Sequence, residues 1–248
     1  SITGPVAALA VSGDITDVKC AEDKDGAITL DVTGGTAPYT YKWTGDEGLV
    51  PDAKDQTTLV AGGVYRVEVD DANGCTESKV FTLDSRTALE ISLTSTNEPC
   101  HSDKEGSIKA EVTGGSGVYV PEWVNSDGSW KSSNYEEINL KADTYTFTVK
   151  DEFGCEKSGS VIVSEPDTLT VTVDAPSVMC EGTEDGDAYA NIPDGAGTKP
   201  YNYTWYNDSG AEIGHGSHLA HLGAGYYKLG VVDANGCMKS VYLDALED

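Results

Sequence analysis

The sequence predicts an all-β protein made of three tandem antiparallel β-sandwich modules, arranged head to tail as a rod. Three observations carry this prediction. Six cysteines recur at a fixed spacing along the 248 residues. Apolar and polar residues alternate with a period of two, which is typical of half-buried strands, and no stretch has the period of a helix. Glycine-rich turn signals separate the alternating runs.

The cysteines define the repeat. They form three pairs, and both the first and the second member of a pair recur at an interval of about 80 positions. The six are Cys20, Cys75, Cys100, Cys155, Cys180 and Cys237. The same offset aligns Trp43 with Trp123 and Trp205. Polar segments end a strand-like run near residues 84 and 164, so the predicted modules are residues 1–84, 85–164 and 165–248. Linkers of about four residues are too short for independent tumbling.

Strands and turns follow in order within each module. In the first module, residues 27–32, 38–43 and 65–69 each alternate apolar with polar side chains, which predicts three half-buried strands. Gly34-Gly35 and Asn73-Gly74 supply the turns between strands. The aromatic stripe of residues 39, 41 and 43 is therefore expected in the core.

Two details narrow the sandwich to an immunoglobulin-like one. A tryptophan on the third strand, Trp43 in the first module, is the expected core anchor. The run Leu59-x-x-Gly62-x-x-Tyr65 has the pattern of a tyrosine corner, in which a tyrosine opens the penultimate strand.

The charge balance limits the partners. With 42 Asp and Glu against 16 Lys and Arg, the net charge is −26. Nucleic acid and anionic membrane surfaces are poor partners for such a surface. No stretch approaches the roughly 18 apolar residues of a membrane span, so we expect no membrane insertion. We also expect the chain to be monomeric.

An even number of cysteines in short modules predicts disulfides. A domain of about 80 residues is marginal without a covalent staple. There is no C-x-x-C sequence, so zinc is not expected. Disulfides require an oxidising compartment, which points outside the cell.

Two pairings stay open. Pairing within each module is our first expectation, and closing an interval of about 55 residues would stabilise the module by about 4 kcal/mol. In an immunoglobulin topology, however, Cys20 and Cys75 lie at opposite ends of a strand roughly 20 Å long, beyond the reach of a bridge. The alternative joins neighbours, Cys20 with Cys155 and Cys100 with Cys237.

A longer pattern identifies a family resemblance. In the first module it begins Cys20-x4-Asp25-Gly26-x7-Gly34-Gly35-x2-Pro38-Tyr39-x-Tyr41-x-Trp43 and ends Asp71-Ala72-Asn73-Gly74-Cys75. This pattern resembles the SprB-type repeat of large surface adhesins in gliding Bacteroidetes, and it recurs with departures in the other two modules. The resemblance implies type IX export, attachment at the cell surface, a role in adhesion or gliding, and no enzymatic activity.

Acidic residues are predicted to gather where modules meet. The sequence Asp23-x-Asp25-Gly26 resembles half of a calcium-binding EF-hand, but the glutamate at the twelfth position is absent, so a full EF-hand is excluded. Head-to-tail packing would bring carboxylates to each junction, where Ca²⁺ would relieve their repulsion. The predicted ligands are Asp23, Asp25, Asp84 and Asp151 at the first junction and Asp103, Glu105, Asp167 and Asp233 at the second. The competing interpretation is a solvated acidic surface with no required cofactor.

The predicted function is mechanical. We expect a non-catalytic stalk that holds a distal tip away from the cell, with neighbouring repeats of the chain as its partners. The alternative makes each module a weak binder of surface polysaccharide or of a protein, with the array supplying avidity. Trp130 stands in a polar loop and is the candidate ligand contact, although local packing of the loop also explains it. No nucleophile with its base and no phosphate-binding loop stands out, so no enzyme is predicted.

Overall fold

The computed structural model describes residues 7–175 and 184–243, and every regular element in these ranges is a strand. The first module contains β1 (Ala10–Thr16), β2 (Gly26–Thr33), β3 (Thr40–Gly45), β4 (Gln56–Leu59), β5 (Val64–Asp70) and β6 (Thr76–Thr82). The second contains β7 (Glu90–Thr96), β8 (Gly106–Thr113), β9 (Tyr119–Asn125), β10 (Lys131–Ser132), β11 (Glu136–Leu140), β12 (Asp143–Asp151) and β13 (Glu156–Val163). The third contains β14 (Thr172–Asp174), β15 (Gly186–Asn191), β16 (Asn202–Asn207), β17 (Glu212–His215), β18 (His218–Leu222), β19 (Tyr227–Val232) and β20 (Met238–Leu243).

The strand order is that of immunoglobulin-like sandwiches. In the first module, one sheet has the order β1-β2-β4 and the other β3-β5-β6, and all pairs are antiparallel. The second and third modules repeat this division and add one short strand, β10 or β17, to the edge of the second sheet. The predicted all-β, immunoglobulin-like fold is therefore confirmed. The boundaries at residues 84 and 164 stay a prediction.

Each sandwich has its own apolar core, centred on the recurring tryptophan. Trp43, Trp123 and Trp205 have at most 3% of their surface exposed. The indole nitrogen of Trp43 donates to the carbonyl of Ala53 at 2.9 Å, and that of Trp205 donates to Gly216 at 3.0 Å. The Trp123 indole nitrogen has no hydrogen-bond acceptor among the described residues.

The tyrosine corners predicted from the sequence are present. The hydroxyl of Tyr145 donates to the carbonyl of Lys141 at 3.0 Å, and the third module makes the equivalent bond from Tyr227 to Gly223 at 3.0 Å. In the first module the Tyr65 hydroxyl accepts from the backbone of Val60 at 3.0 Å. These bonds fix the turn that leads into the penultimate strand.

A glycine at the start of the second strand lets this strand approach its neighbours closely. A Cβ atom on Gly26 would lie 2.4 Å from Leu83 and 2.9 Å from the carbonyl oxygen of Leu59. A Cβ atom on Gly106 would be equally confined, 2.4 Å from Val163. The glycine of the acidic Asp-Gly pair is therefore a packing requirement of the fold.

Each module has two distinct ends. Gly26 pairs with Leu59, so the loops between the first and second strands and between the fourth and fifth strands share one end, which we call the loop end. The β5–β6 hairpin lies at the opposite end, the hairpin end. The first strand begins there, since Ala10 pairs with Thr33, and the last strand finishes at the loop end, where Thr82 pairs with Val64. A chain that leaves one module at its loop end thus enters the next at its hairpin end.

Candidate functional site

Disulfides join the loop end of each module to the hairpin end of the next. Cys20 is bonded to Cys155 with the Cα atoms 5.6 Å apart, and Cys100 to Cys237 with the Cα atoms 5.5 Å apart. The expectation of pairing within each module is therefore wrong for these four cysteines, and Cys180 lies outside the described residues. The alternative pairing between neighbours is the one the structure contains.

The reason lies in the two ends of a module. Cys20 follows β1 at the loop end, whereas Cys75 lies in the hairpin that follows β5. The 7 residues of β5 separate these ends by roughly 23 Å. A disulfide tolerates Cα separations of up to about 7 Å, so only the next module's hairpin comes within reach.

A buried aspartate shapes the hairpin that carries the second cysteine. One carboxylate oxygen of Asp71 accepts from the backbone N–H of Asn73 at 2.8 Å and of Cys75 at 2.9 Å, and the other accepts from Thr36 at 2.9 Å. Gly74 takes a φ of 79°, which favours glycine. The hairpin is thereby tied to the turn between β2 and β3.

The same turn recurs in the other two modules. Asp151 accepts from the backbone of Ser116, Phe153 and Cys155 at 2.9 to 3.0 Å. Asp233 makes the equivalent three bonds, each at 2.9 Å, to Thr198, Asn235 and Cys237. Each aspartate has at most 6% of its surface exposed. The carboxylate thus presents a cysteine at the tip of the hairpin end.

Hydrogen bonding lowers the pKa of Asp71. The backbone N–H of Cys75 is the largest cause, and those of Thr36 and Asn73 add to it, while burial acts in the opposite direction. The ionised carboxylate is therefore favoured in the folded module.

Groups from three segments make contacts at the first junction. The guanidinium of Arg86, in the linker, lies 4.2 Å from the ring centroid of Phe153 in the hairpin. Its Nε donates to the carbonyl of Val18 at 3.3 Å. A cation over an aromatic face at this distance is attractive. Arg86 thus connects the loop end of the first module with the hairpin end of the second.

The second junction uses different side chains. The side-chain amide of Asn235 donates to the carbonyl of Pro99 at 3.1 Å, next to the disulfide. In the linker, the carboxylate of Glu165 accepts from the backbone N–H of Ser102 at 2.8 Å and lies 3.3 Å from a ring nitrogen of His101. Both junctions thus combine a disulfide with contacts to the linker.

The segment after the first strand anchors the linker. Asp17 accepts from the backbone N–H of Asp84 at 2.7 Å, and at the equivalent position Asn97 accepts from Ser164 at 3.0 Å. Glu98, with 3% of its surface exposed, accepts from Lys104 at 2.8 Å. These residues were not predicted from the sequence, although the repeat offset aligns Asp17 with Asn97.

The predicted calcium ligands are only partly brought together. Asp23 and Asp151 line one cavity of about 360 Å³ at the first junction, and Asp25 and Asp84 do not line it. Asp25 accepts from the backbone N–H of Lys19 at 3.2 Å.

The four predicted ligands at the second junction, all of them described residues, are not brought together as a metal site. Asp233 holds its own turn, and the other three, Asp103, Glu105 and Asp167, are exposed. Within residues 7–175 and 184–243, no group of three or more His, Cys, Asp or Glu side chains is placed to hold a metal ion. Calcium at the junctions stays a prediction.

Trp130 is partly buried and lies immediately before β10. Its ring meets that of Tyr145 edge to face with centroids 5.3 Å apart, and its backbone N–H donates to Asn125 at 2.9 Å. The contacts tie the loop to the core of the second module. A ligand contact at Trp130 stays a prediction.

Comparison with known proteins identifies a family match. Residues 12–48 match the model of the SprB repeat, so the chain carries a SprB-type repeat. The chain is also 41% identical over 91 residues to the decoration protein of Escherichia phage T5. That alignment covers 34% of this chain and 51% of the phage protein, so the chain spans about half the length of this curated relative.

Solved structures of proteins with several Ig domains are distantly similar. The eight N-terminal Ig domains of Down Syndrome Cell Adhesion Molecule match with a TM-score of 0.37 and 13% identity, over 87% of this chain and 33% of that one. Dpr2 Ig1-Ig2, from its complex with DIP-Theta, matches with a TM-score of 0.33 and 10% identity, over 95% and 98% of the two chains. The fold assignment therefore rests on the strand order. Among the residues described, none belongs to a helix that is long and apolar enough to cross a membrane.

Proposed function

From the SprB-type repeat at residues 12–48 and the disulfide-bonded junctions, we propose that this chain is a non-catalytic stalk segment of a cell-surface adhesin. The observation that carries the proposal is the covalent bond from each module to the next. A bond at the junction restricts bending and twisting there, because it adds a second connection beside the linker. The three modules would then behave as a stiff rod that holds a distal tip away from the cell.

The location follows from the same chemistry. Disulfides persist outside the reducing cytosol, and the net charge of −26 keeps such a surface soluble. Export by the type IX route and a role in gliding are part of the proposal, and their support is the SprB-type repeat alone.

Small-angle scattering tests the rod. We expect the oxidised chain to give one elongated distance distribution, and the double variant Cys155→Ser with Cys237→Ser to give a broader one with a smaller mean radius. The single variant Cys75→Ser is the matched control, because Cys75 forms no disulfide in the structure and its removal leaves both bridges intact. Equal flexibility with and without the bridges would refute the stalk.

Calcium would stiffen the junctions further in this proposal. Asp23 is exposed and lines the junction cavity, and Asp25 lies on the same loop. We expect Ca²⁺ to raise the melting temperature of the chain and Asp25→Asn to remove that rise. A melting temperature that does not respond to Ca²⁺ would remove the ion from the proposal.

One observation favours binding as a second function. On the outer face of the third module, Tyr206, Lys228 and Tyr242 form a row across three neighbouring strands. The ammonium of Lys228 lies 5.6 Å and 5.8 Å from the centroids of the two rings. Tyr226 is 62% exposed and lines the same cleft of about 620 Å³. Tyrosine faces beside polar groups are suited to a sugar ring.

In the described part of the chain, the platform formed by Tyr206, Lys228 and Tyr242 has no aromatic equivalent in the first two modules. The equivalent row is Thr44, Arg66 and Val80 in the first module. In the second module it is Val124, Thr146 and Ser160. Neither row contains an aromatic side chain, so the structure favours one saccharide platform over three equal sites.

A glycan array tests this second function. If the platform binds saccharides, the chain retains a glycan and Tyr242→Ala weakens that binding, while Trp130→Ala leaves it unchanged. The reverse order would move the site to the Trp130 loop. If the chain retains no glycan, the saccharide platform is refuted and the stalk remains as the proposed function.

A further inference from the structure

We infer that the hairpin end of the first module is a docking surface for the loop end of another module of the same kind, closed by a disulfide at Cys75. This inference deepens the proposed stalk function, on which it rests, because it names the neighbour that the first module accepts.

The first and third hairpins are identical in sequence. Residues 71–75 and 233–237 both read Asp-Ala-Asn-Gly-Cys. Their geometry also agrees, since Ala72 donates to Thr36 at 2.8 Å and Ala234 donates to Thr198 at 2.9 Å. In the third module this hairpin receives the loop end of the second module and the disulfide from Cys100. The surface that binds a neighbour there is thus repeated in the first module.

Hydrogen-bond donors at the surface also correspond. Asn235 uses its side-chain nitrogen twice, to Thr198 at 3.1 Å and across the junction to Pro99 at 3.1 Å. Asn73 makes the equivalent bond to Thr36 at 2.9 Å. An amide nitrogen has two N–H donors, so Asn73 retains one for a carbonyl of the kind that Pro99 supplies.

The backbone that leads into the first module follows the same course as the linker that leads into the second module. Gly35 donates to the carbonyl of Ala7 at 3.0 Å, and at the next hairpin end Gly115 donates to the linker carbonyl of Thr87 at 3.0 Å. The first hairpin end therefore has the backbone arrangement of an end that is covered. Its cysteine is nevertheless unpaired and exposed, whereas Cys155 and Cys237 are partly buried.

The partner is defined by its chemistry. It carries a cysteine shortly before an Asp-Gly or Glu-Gly pair, as Cys20 and Cys100 do at the two occupied junctions. Oxidised glutathione supplies the oxidising equivalents. The Cys75 thiolate attacks glutathione disulfide and releases one glutathione thiolate, and the partner's thiolate then attacks the mixed disulfide at the Cys75 sulfur and releases the second. Two protein thiols are oxidised and one glutathione disulfide is reduced to two glutathiones.

A second copy of the chain serves as the probe, because Cys180 has the same spacing before Asp185-Gly186. Cys75→Ser chains and Cys180→Ser chains, with tags of different size, are mixed in glutathione buffer and separated without reduction. We expect the heterodimer, with Cys75 bonded to Cys180, to exceed either homodimer by more than about fivefold, against roughly twofold for random thiol pairing. Asn73→Ala should lower this excess several-fold without changing the reaction of Cys75 with a small disulfide reagent.

Two outcomes would overturn the inference. One is a heterodimer at the random ratio or below, which would make Cys75 a reactive thiol without a docking surface. The other is an excess that Asn73→Ala does not change. Scattering on the single chain tests the stalk separately, so a failure here leaves that result standing.

Discussion

The junction disulfides should limit how far the chain can be pulled. If the two ends of the chain are held and separated by force, the shortest covalent path runs from residue 1 to Cys20, crosses to Cys155, returns along the chain to Cys100, and crosses to Cys237. The residues bypassed by this path cannot lengthen the chain while the disulfides are intact.

The extended length of the chain follows from the disulfide connectivity. The path contains about 85 residues, which span at most about 300 Å when fully extended, whereas the 248 residues of the reduced chain span about 890 Å. Loss of the first bridge alone, in Cys155→Ser, lengthens the path to about 110 residues and about 400 Å. Single-molecule force spectroscopy resolves these differences in contour length.

A variant that leaves both bridges in place distinguishes the possible pairings. Cys75→Ser should extend to about 300 Å, the same length as the natural chain, because Cys75 is unpaired. If the cysteines paired within modules instead, this variant would lose the bridge of its first module and extend to about 490 Å. An extended length of about 490 Å would refute the covalent path through the two junction disulfides.

Three further predictions concern the modules themselves. Gly26→Ala should lower the stability of the first module by about 1–3 kcal/mol in chemical denaturation, because its Cβ would meet Leu83. Gly230→Ala should be nearly neutral, because the nearest atom to its Cβ would lie 3.7 Å away. Equal losses of stability would contradict the packing argument. Asp71 has a lowered pKa in the folded state, so its stabilising effect is complete above its ordinary pKa of 3.8 and is lost as the pH falls through the lower folded pKa. Asp71→Asn should therefore reduce the acid-induced drop in melting temperature. An unaltered pH profile would contradict the stabilising role of the ionised carboxylate in the turn. Trp43→Phe should lower the free energy of unfolding by about 1 kcal/mol more than Trp123→Phe, because only the Trp43 indole loses a hydrogen bond. The opposite order of the denaturation midpoints would disprove this.

Local features of the fold could be predicted because they repeat. The period of two, the tryptophan of the third strand and the tyrosine corner each recur three times, and all are explained by burial within one module. The aromatic stripe follows the same rule, with Trp43 buried and Tyr39 and Tyr41 packed against the core.

The junctions could be predicted less well, because their disulfides join residues 135 and 137 positions apart in the sequence. The predicted topology placed Cys20 and Cys75 at opposite ends of a strand, but the spacing of the cysteines alone did not decide between pairing within modules and pairing between neighbours. Asp151 was assigned to an ion because carboxylates gather near the junction, but its oxygens accept three backbone N–H groups of its own module. The contact of Arg86 with Phe153 has no counterpart at the second junction, so no repeat revealed it.

Peptide mapping of the oxidised chain tests the covalent junctions most directly. Digestion without reduction, followed by mass spectrometry, should yield two cross-linked peptides, one containing Cys20 and Cys155 and the other containing Cys100 and Cys237. Peptides that join Cys20 to Cys75 and Cys100 to Cys155 would contradict the account.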